Sequence, residues 1–129
     1  MEIGGRERRW RSRAIAIWRF INVPSRWWFL YIAWSEFPAH ERFDLCDQMR
    51  RASKSVVANI VEGYSHKDTP GKAKQFWRNA MGSANEMVEH LETAVALGYA
   101  SQDTCRPYVE EYVVTAKRLN KLIQSWRKL

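Results

Sequence analysis

The spacing of apolar residues between positions 45 and 60 limits the possible folds of this chain more than any other feature. These residues follow one another at steps of three or four, and they are Leu45, Met49, Ala52, Val56 and Ile60. Such spacing keeps all of them on one face of an α-helix, whose period is 3.6 residues. The pattern predicts a helix over residues 41–63, with Gly63 as its stop.

A second helix is predicted between a start signal at Thr69-Pro70 and a stop at Gly98. Thr69 is a good cap, and proline is tolerated at the first helical position because its missing N–H has no partner there. The apolar stripe of this helix is Ala73, Phe76, Ala80, Ala84, Met87, Leu91 and Ala94.

The last predicted helix starts near Ser101 or Thr104. Thr104 is an attractive cap because it places Pro107 in the first turn, where a proline does little harm. Its apolar stripe is Val109, Tyr112, Val113, Ala116, Leu119, Ile123 and Trp126.

A shorter, tryptophan-rich helix is predicted over residues 25–35, ahead of the break at Phe37-Pro38. Five of the seven tryptophans fall within residues 1–34. A monomer would have difficulty burying so wide an aromatic surface, so Trp27, Trp28 and Trp34 are predicted to form a subunit interface. The alternative is an ordinary core helix with tryptophans at its edges.

Short links between these helices predict an all-α, antiparallel up-down four-helix bundle over residues 23–129. Residues 1–22 form a separate basic N-terminal extension, with six arginines against two glutamates. This extension is either a nucleic-acid-binding arm or a frayed, solvated terminus.

The chain carries 21 Lys and Arg against 14 Asp and Glu, a net charge of +7. Such an excess favours phosphate backbones or anionic lipid. Six clustered cations are the candidate nucleic-acid contacts: Arg50, Arg51, Lys54, Lys72, Lys74 and Arg78. The last three lie early in their helix, against the helix dipole, which indicates either a phosphate ligand or pairing with acids on a neighbouring helix. Asp47 can offset one cation of the first three.

Aromatic side chains accompany these cations, and Tyr64, Phe76 and Trp77 are either base-stacking residues or core residues. A second polar set lies beside the apolar stripes and is predicted to form a hydrogen-bonded structural network across the bundle: Asn59, Glu62, Ser83 and Glu86.

No catalytic motif is present, and the two cysteines and three histidines show no metal-ligand spacing. We therefore expect a non-enzymatic protein without metal or cofactor. The lone cysteines favour a reduced cytoplasmic setting. Residues 14–34 are interrupted by Arg19, Pro24 and Arg26, so we expect no membrane span.

Residues 48–64, QMRRASKSVVANIVEGY, resemble the Q-x-R-R-A-x-x-S-x-x-x-N-I-x-E-G signature of the bacterial four-helix-bundle proteins encoded in 23S rRNA intervening sequences. A run at residues 76–86 resembles the family's F-x-x-x-A-x-G-S-x-x-E, and Leu97-Gly98-Tyr99 matches its L-G-Y. Val56-Val57-Ala58 stands where the family often has Ile-Pro-Ser. The resemblance covers residues 36–128.

The resemblance implies a homopentamer of positively charged bundles, similar to the accessory variability protein of diversity-generating retroelements, which binds nucleic acid and a reverse transcriptase. Our leading hypothesis is therefore an oligomeric RNA- or DNA-binding protein. One alternative is a scaffold that docks a protein partner such as a reverse transcriptase. Another is a bundle that persists with its insertion and does nothing for the host.

Overall fold

The computed structural model describes residues 35–127 continuously, together with Gly5, Arg8, Ser12, Arg19, Leu30 and Ala33. A short 3₁₀ helix, η1 (Ala39–Glu41), precedes three long helices, α1 (Leu45–Ser65), α2 (Pro70–Ala96) and α3 (Gln102–Ser125). The described residues contain no strand. The predicted all-α class is thus confirmed for this part of the chain.

Helix α1 starts four residues later than predicted, because the chain first forms η1 and a turn after Pro38. The Glu41 carboxylate accepts the backbone N–H of Leu45 at 3.3 Å and the hydroxyl of Tyr99 at 3.2 Å. Through these two hydrogen bonds, Glu41 connects the start of α1 to the loop that follows α2. Glu41 itself is not part of α1.

Gly63 does not stop α1, which continues to Ser65. The backbone of Gly63 is buried beneath the indole of Trp77 on α2, and a Cβ there would lie 2.3 Å from Trp77 Nε1. The same Nε1 donates to the carbonyl of Ile60 at 3.3 Å. The absence of a side chain at position 63 allows Trp77 to approach α1 closely. The prediction that Gly63 ends the helix was therefore wrong.

The core face of α2 also differs by one residue from the predicted stripe. Trp77 is buried in the core, whereas Phe76 is half-buried and stacks on the imidazole of His66. The other predicted positions of this stripe are buried. The apolar pattern of α2 does not determine whether Phe76 or Trp77 points into the core, because the two side chains are adjacent on the helix surface.

Helix α3 is capped by Ser101, whose Oγ accepts the backbone N–H of Thr104 at 3.1 Å. Thr104 is therefore inside the helix and is not its cap. Pro107 lies beyond the first turn. The turn before α3 contains Gly98 at φ +75°, so the predicted stop at this glycine is confirmed.

Side-chain contacts establish the directions of the helices. Ser55 meets Ser83 and Ile60 meets Trp77, so α1 and α2 are antiparallel. Tyr112 donates to Ser53 at 3.1 Å, and Trp126 donates to the carbonyl of Lys67 at 2.9 Å. From the first pair to the second, the residue number increases both on the α1 side (53 to 67) and on the α3 side (112 to 126). Helix α3 therefore runs parallel to α1.

The buried side chains of α1, α2 and α3 form one apolar core, which also includes Ala33 and Phe37. Leu30, Ala33, Ser35 and Glu36 are helical, and the Cys46 thiol donates to the carbonyl of Ala33 at 3.4 Å. The rest of the predicted tryptophan-rich helix, including the interface residues Trp27, Trp28 and Trp34, lies outside the described residues. So does most of the 1–22 extension.

Candidate nucleic-acid interface

The antiparallel arrangement separates the charges of the described helices into two ends. The hydrogen bonds Ser55–Ser83 and Ser53–Tyr112 lie near the middle of the bundle. The half of the bundle on the side of the 66–69 loop carries eight cations and two carboxylates, those of Glu62 and Asp68. Its formal charge is therefore +6. We call this group the basic end: Lys67, Lys72, Lys74, Arg78, Lys117, Arg118, Lys121 and Arg127.

The opposite half of residues 35–127 carries ten carboxylates and five cations, a formal charge of −5. We call it the acidic end. Its carboxylates are Glu36, Glu41, Asp44, Asp47, Glu86, Glu89, Glu92, Asp103, Glu110 and Glu111. Its cations are Arg42, Arg50, Arg51 and Arg106, together with Lys54, which lies at the boundary in the middle of the bundle. The net charge of residues 35–127 is only +1, so the polarity of the bundle is far larger than its overall charge indicates.

Four segments meet at the basic end: the end of α1, the 66–69 loop, the start of α2 and the end of α3. Trp126 fastens the end of α3 to the loop through its hydrogen bond to the Lys67 carbonyl. The rings of Trp126 and Trp77 contact edge to face, with centroids 5.3 Å apart. The cations of separate segments are therefore held at one place by buried aromatic packing.

Carboxylates do not neutralise the helical cations of the basic end. Among the described residues, no carboxylate oxygen lies within 4.0 Å of the cationic nitrogens of Lys72, Lys74 or Arg78. The same holds for the four cations at the end of α3 and just after it. Pairing with acids on the neighbouring helix thus does not account for the cations that oppose the α2 dipole.

The start of α2 adds positive potential to the same end. Thr69 makes no side-chain capping bond, and the first turn contains no acidic residue. The N–H groups of a first helical turn have no partner within the helix and attract anions. The uncapped start of α2 therefore acts in the same direction as the lysines around it.

Arg50, Arg51 and Lys54, the other predicted contacts, are exposed but belong to the acidic end. Asp47 binds both arginines, through Oδ1 to Arg50 and through Oδ2 to Arg51 at 2.8 Å. One carboxylate is shared by two guanidinium groups, so Asp47 offsets one unit of positive charge, as predicted, although it contacts both arginines. The structure does not bring the six predicted contacts together in one patch.

The aromatic candidates differ in their access to a base. Trp77 is 2% exposed, so it is a core residue and cannot stack on a nucleotide. Phe76 is half-buried with its ring parallel to that of His66, 5.4 Å between centroids. The ammonium of Lys67 lies 5.0 Å from the centroid of the exposed Tyr64 ring.

Part of the predicted polar network is present between α1 and α2. Ser83 Oγ lies 2.8 Å from Ser55 Oγ, which accepts Asn59 Nδ2 at 3.0 Å. Ser55 was missed, although it lies one turn before Asn59. Glu62 is elsewhere, with its carboxylate 3.4 Å from His66. Glu86 lines an open groove beside Ser83, along with Arg51, Glu89 and His90.

Five cations of the basic end were not among the predicted site residues: Lys67, Lys117, Arg118, Lys121 and Arg127. Three of them, Lys117, Arg118 and Lys121, follow the favourable dipole order of α3, so nothing in that helix alone marks them out. The only available signal was the topology, because an up-down bundle returns the end of α3 to the start of α2.

The remaining reactive groups are buried or scattered. Burial raises the pKa of the Cys105 thiol above its usual value, and burial with the nearby Glu41 carboxylate does the same for Cys46. Within the described part of the chain, no three His, Cys, Asp or Glu side chains converge as metal ligands. No helix in that part is long and apolar enough to cross a membrane.

Comparison with known families agrees with the resemblance read from the motifs. The family model described as 23S rRNA-intervening sequence protein matches residues 29–121. This match includes η1, α1, α2 and most of α3, and it covers more than half of the chain. Comparison with curated proteins gives no match.

Proposed function

The chain belongs to the 23S rRNA-intervening sequence protein family, and on this basis we propose that it is a non-enzymatic, oligomeric protein that binds RNA or DNA. The observation that carries this proposal is the basic end, where cations of α2 and α3 converge without ion-pair partners among the described residues. Folding alone does not require such a concentration of like charge, which destabilises the bundle by self-repulsion.

Binding at this end rests on phosphate contacts. Lys72 and Arg78 are exposed and can reach a phosphate oxygen without breaking an existing ion pair. Each phosphate that a cation neutralises releases a counterion, and the gain does not depend on the base. The proposed activity is therefore binding with little sequence preference.

The proposed assembly is a four-helix bundle that forms a homopentamer, as the family resemblance implies. Support for a fourth helix comes from Leu30 and Ala33, which are helical and pack against the core. The Ala33 carbonyl also accepts the Cys46 thiol on α1. An oligomer would multiply the charge of the basic end and would let several subunits engage one nucleic acid.

Two variants with the same change in charge test the site. Lys72, Lys74 and Arg78 are replaced by Ala in one, and Arg50, Arg51 and Lys54 in the other. Affinity for a structured RNA is measured by fluorescence anisotropy over a range of salt concentrations. We expect the first variant to reduce the log–log salt slope by about 2 to 3, because each phosphate contact contributes about 0.7 on a single strand and about 0.9 on a duplex.

The second variant is expected to change the slope by less than about 0.7, since two of its arginines already share Asp47. Equal changes in the salt slope of both variants would show that phosphates contact both ends. A larger change in the second variant would place the phosphate contacts at Arg50, Arg51 and Lys54 on α1. Absence of RNA binding by the unmodified protein at low salt would refute the proposed function.

A second candidate function is a scaffold that docks a protein partner such as a reverse transcriptase. It is favoured by two exposed apolar side chains near the acidic end, Phe43 at 84% and Leu97 at 55% exposure. Exposed aromatic and aliphatic groups of this kind are typical of protein interfaces. Purification that yields a protein complex without nucleic-acid absorbance would favour this candidate.

A further inference from the structure

The separation of charge along the bundle determines how a nucleic acid can approach it. From the helical rise of 1.5 Å per residue, the centres of the basic and acidic ends are roughly 20–25 Å apart. The Debye length at 0.1 M salt is about 10 Å. A phosphate strand at the basic end is therefore screened from the carboxylates of the acidic end, whereas a strand lying along the bundle is not.

The acidic end is repulsive over much of its surface. On α2, Glu86, Glu89 and Glu92 are all exposed and continue toward the end of the helix. On α3, Asp103 and Glu110 are exposed on the first turns. Arg50 and Arg51 share the one carboxylate of Asp47, so together the three side chains add a net charge of only +1 there. Phosphates placed alongside these turns would meet an excess of carboxylates over cations.

From this polarity we infer that the strand binds end-on: it crosses the basic end, and the axis of the bundle points away from it. This inference rests on the proposed function and deepens it. The end of three packed helices is about 20–25 Å across. With one charge per about 3.4 Å of a stacked strand, each subunit contacts about 6 to 7 phosphates. The preferred ligand is a short single-stranded stretch or a loop, because a long duplex lying lengthwise would meet the acidic end.

Lysine footprinting by mass spectrometry tests this geometry in the full-length protein. The probe is a uridine RNA of about 20 nucleotides, and lysines are acetylated with and without it. End-on binding predicts at least threefold protection of the basic-end lysines, which are Lys67, Lys72, Lys74, Lys117 and Lys121. Lys54, exposed on α1 at the middle of the bundle, is the internal control and should keep its reactivity.

The outcomes separate this inference from the function on which it rests. Protection of Lys54 equal to that of Lys72 would overturn end-on binding and leave RNA binding intact. Absence of protection at every lysine, with no anisotropy change for the same RNA, would overturn both. The variant Glu86→Gln/Glu89→Gln/Glu92→Gln removes repulsion from the acidic end, and we expect it to extend protection to Lys54. If Lys54 stays unprotected in this variant, the carboxylates do not direct the strand and the inference fails.

Discussion

At the scale of single residues, the contact between Gly63 on α1 and Trp77 on α2 leaves no room for a Cβ at position 63. The indole lies where any larger residue on α1 would place its Cβ, and its Nε1–H uses the Ile60 carbonyl in the same turn. Trp77 in turn packs against Trp126. One missing side chain thus permits the aromatic packing that holds the end of α3 at the basic end.

Gly63→Ala is expected to destabilise the protein by about 2 kcal/mol, because the new Cβ displaces a buried indole. Gly82→Ala is the matched control. Gly82 is exposed in α2, and a Cβ added there would meet no atom within 4 Å, so alanine should stabilise by about 0.5–1 kcal/mol. Urea unfolding measures both variants, and effects of the same sign would contradict the packing argument.

The two thiols are expected to react slowly, because burial raises the pKa of each above its usual value and lowers its thiolate fraction at pH 8. Iodoacetamide should label Cys46 and Cys105 in the folded protein at least tenfold more slowly than a cysteine introduced at the exposed Asn85. Raising the pH toward 9.0 should increase the labelling rate. Comparable rates for all three cysteines would show that the thiols are accessible.

At the scale of elements, the starts of α2 and α3 differ although both have a hydroxyl residue in the capping position. Ser101 accepts the N–H of Thr104, whereas Thr69 makes no side-chain capping bond. This difference matters because an uncapped start leaves its N–H groups available to an anion. A sequence alone shows two good cap residues and cannot separate these two states.

Ser101→Ala should therefore cost about 1 kcal/mol of unfolding free energy, the usual effect of removing a working cap. Thr69→Ala should change the unfolding free energy by less than about 0.5 kcal/mol. Thermal or urea unfolding of the two variants checks the comparison. A larger loss for Thr69→Ala would mean that its hydroxyl caps α2 in solution.

At the scale of the whole molecule, the main property is a charge separation that the composition does not show and that the packing of α2 against α3 reinforces. Residues 35–127 have a net charge of only +1. The up-down topology places the cationic start of α2 beside the cationic end of α3, and it places their acidic portions together at the other end. Each additional subunit in an assembly would bring another basic end.

The proposed pentamer predicts a solution mass of about 77 kDa, five times the 15.3 kDa of one chain. Light scattering coupled to size exclusion measures this mass directly. Replacing Trp27, Trp28 and Trp34 by Ala should lower it if these residues form the interface. A monomeric mass for the unmodified protein would refute both the pentamer and the interface argument from these tryptophans.

Local pattern was enough to establish the helical class, the family and most of the core, because apolar spacing such as that of Leu45, Met49 and Val56 follows from the helical period. The composition of the site, by contrast, depended on how the helices pack. Lys121 and Lys72 are far apart in the chain, and only the return of α3 along α2 places both at one end. Packing also gave Gly63 its role, since its neighbour Trp77 lies on another helix. A local pattern reports which face of a helix is apolar, whereas charges and contacts that several helices share arise only when those helices come together.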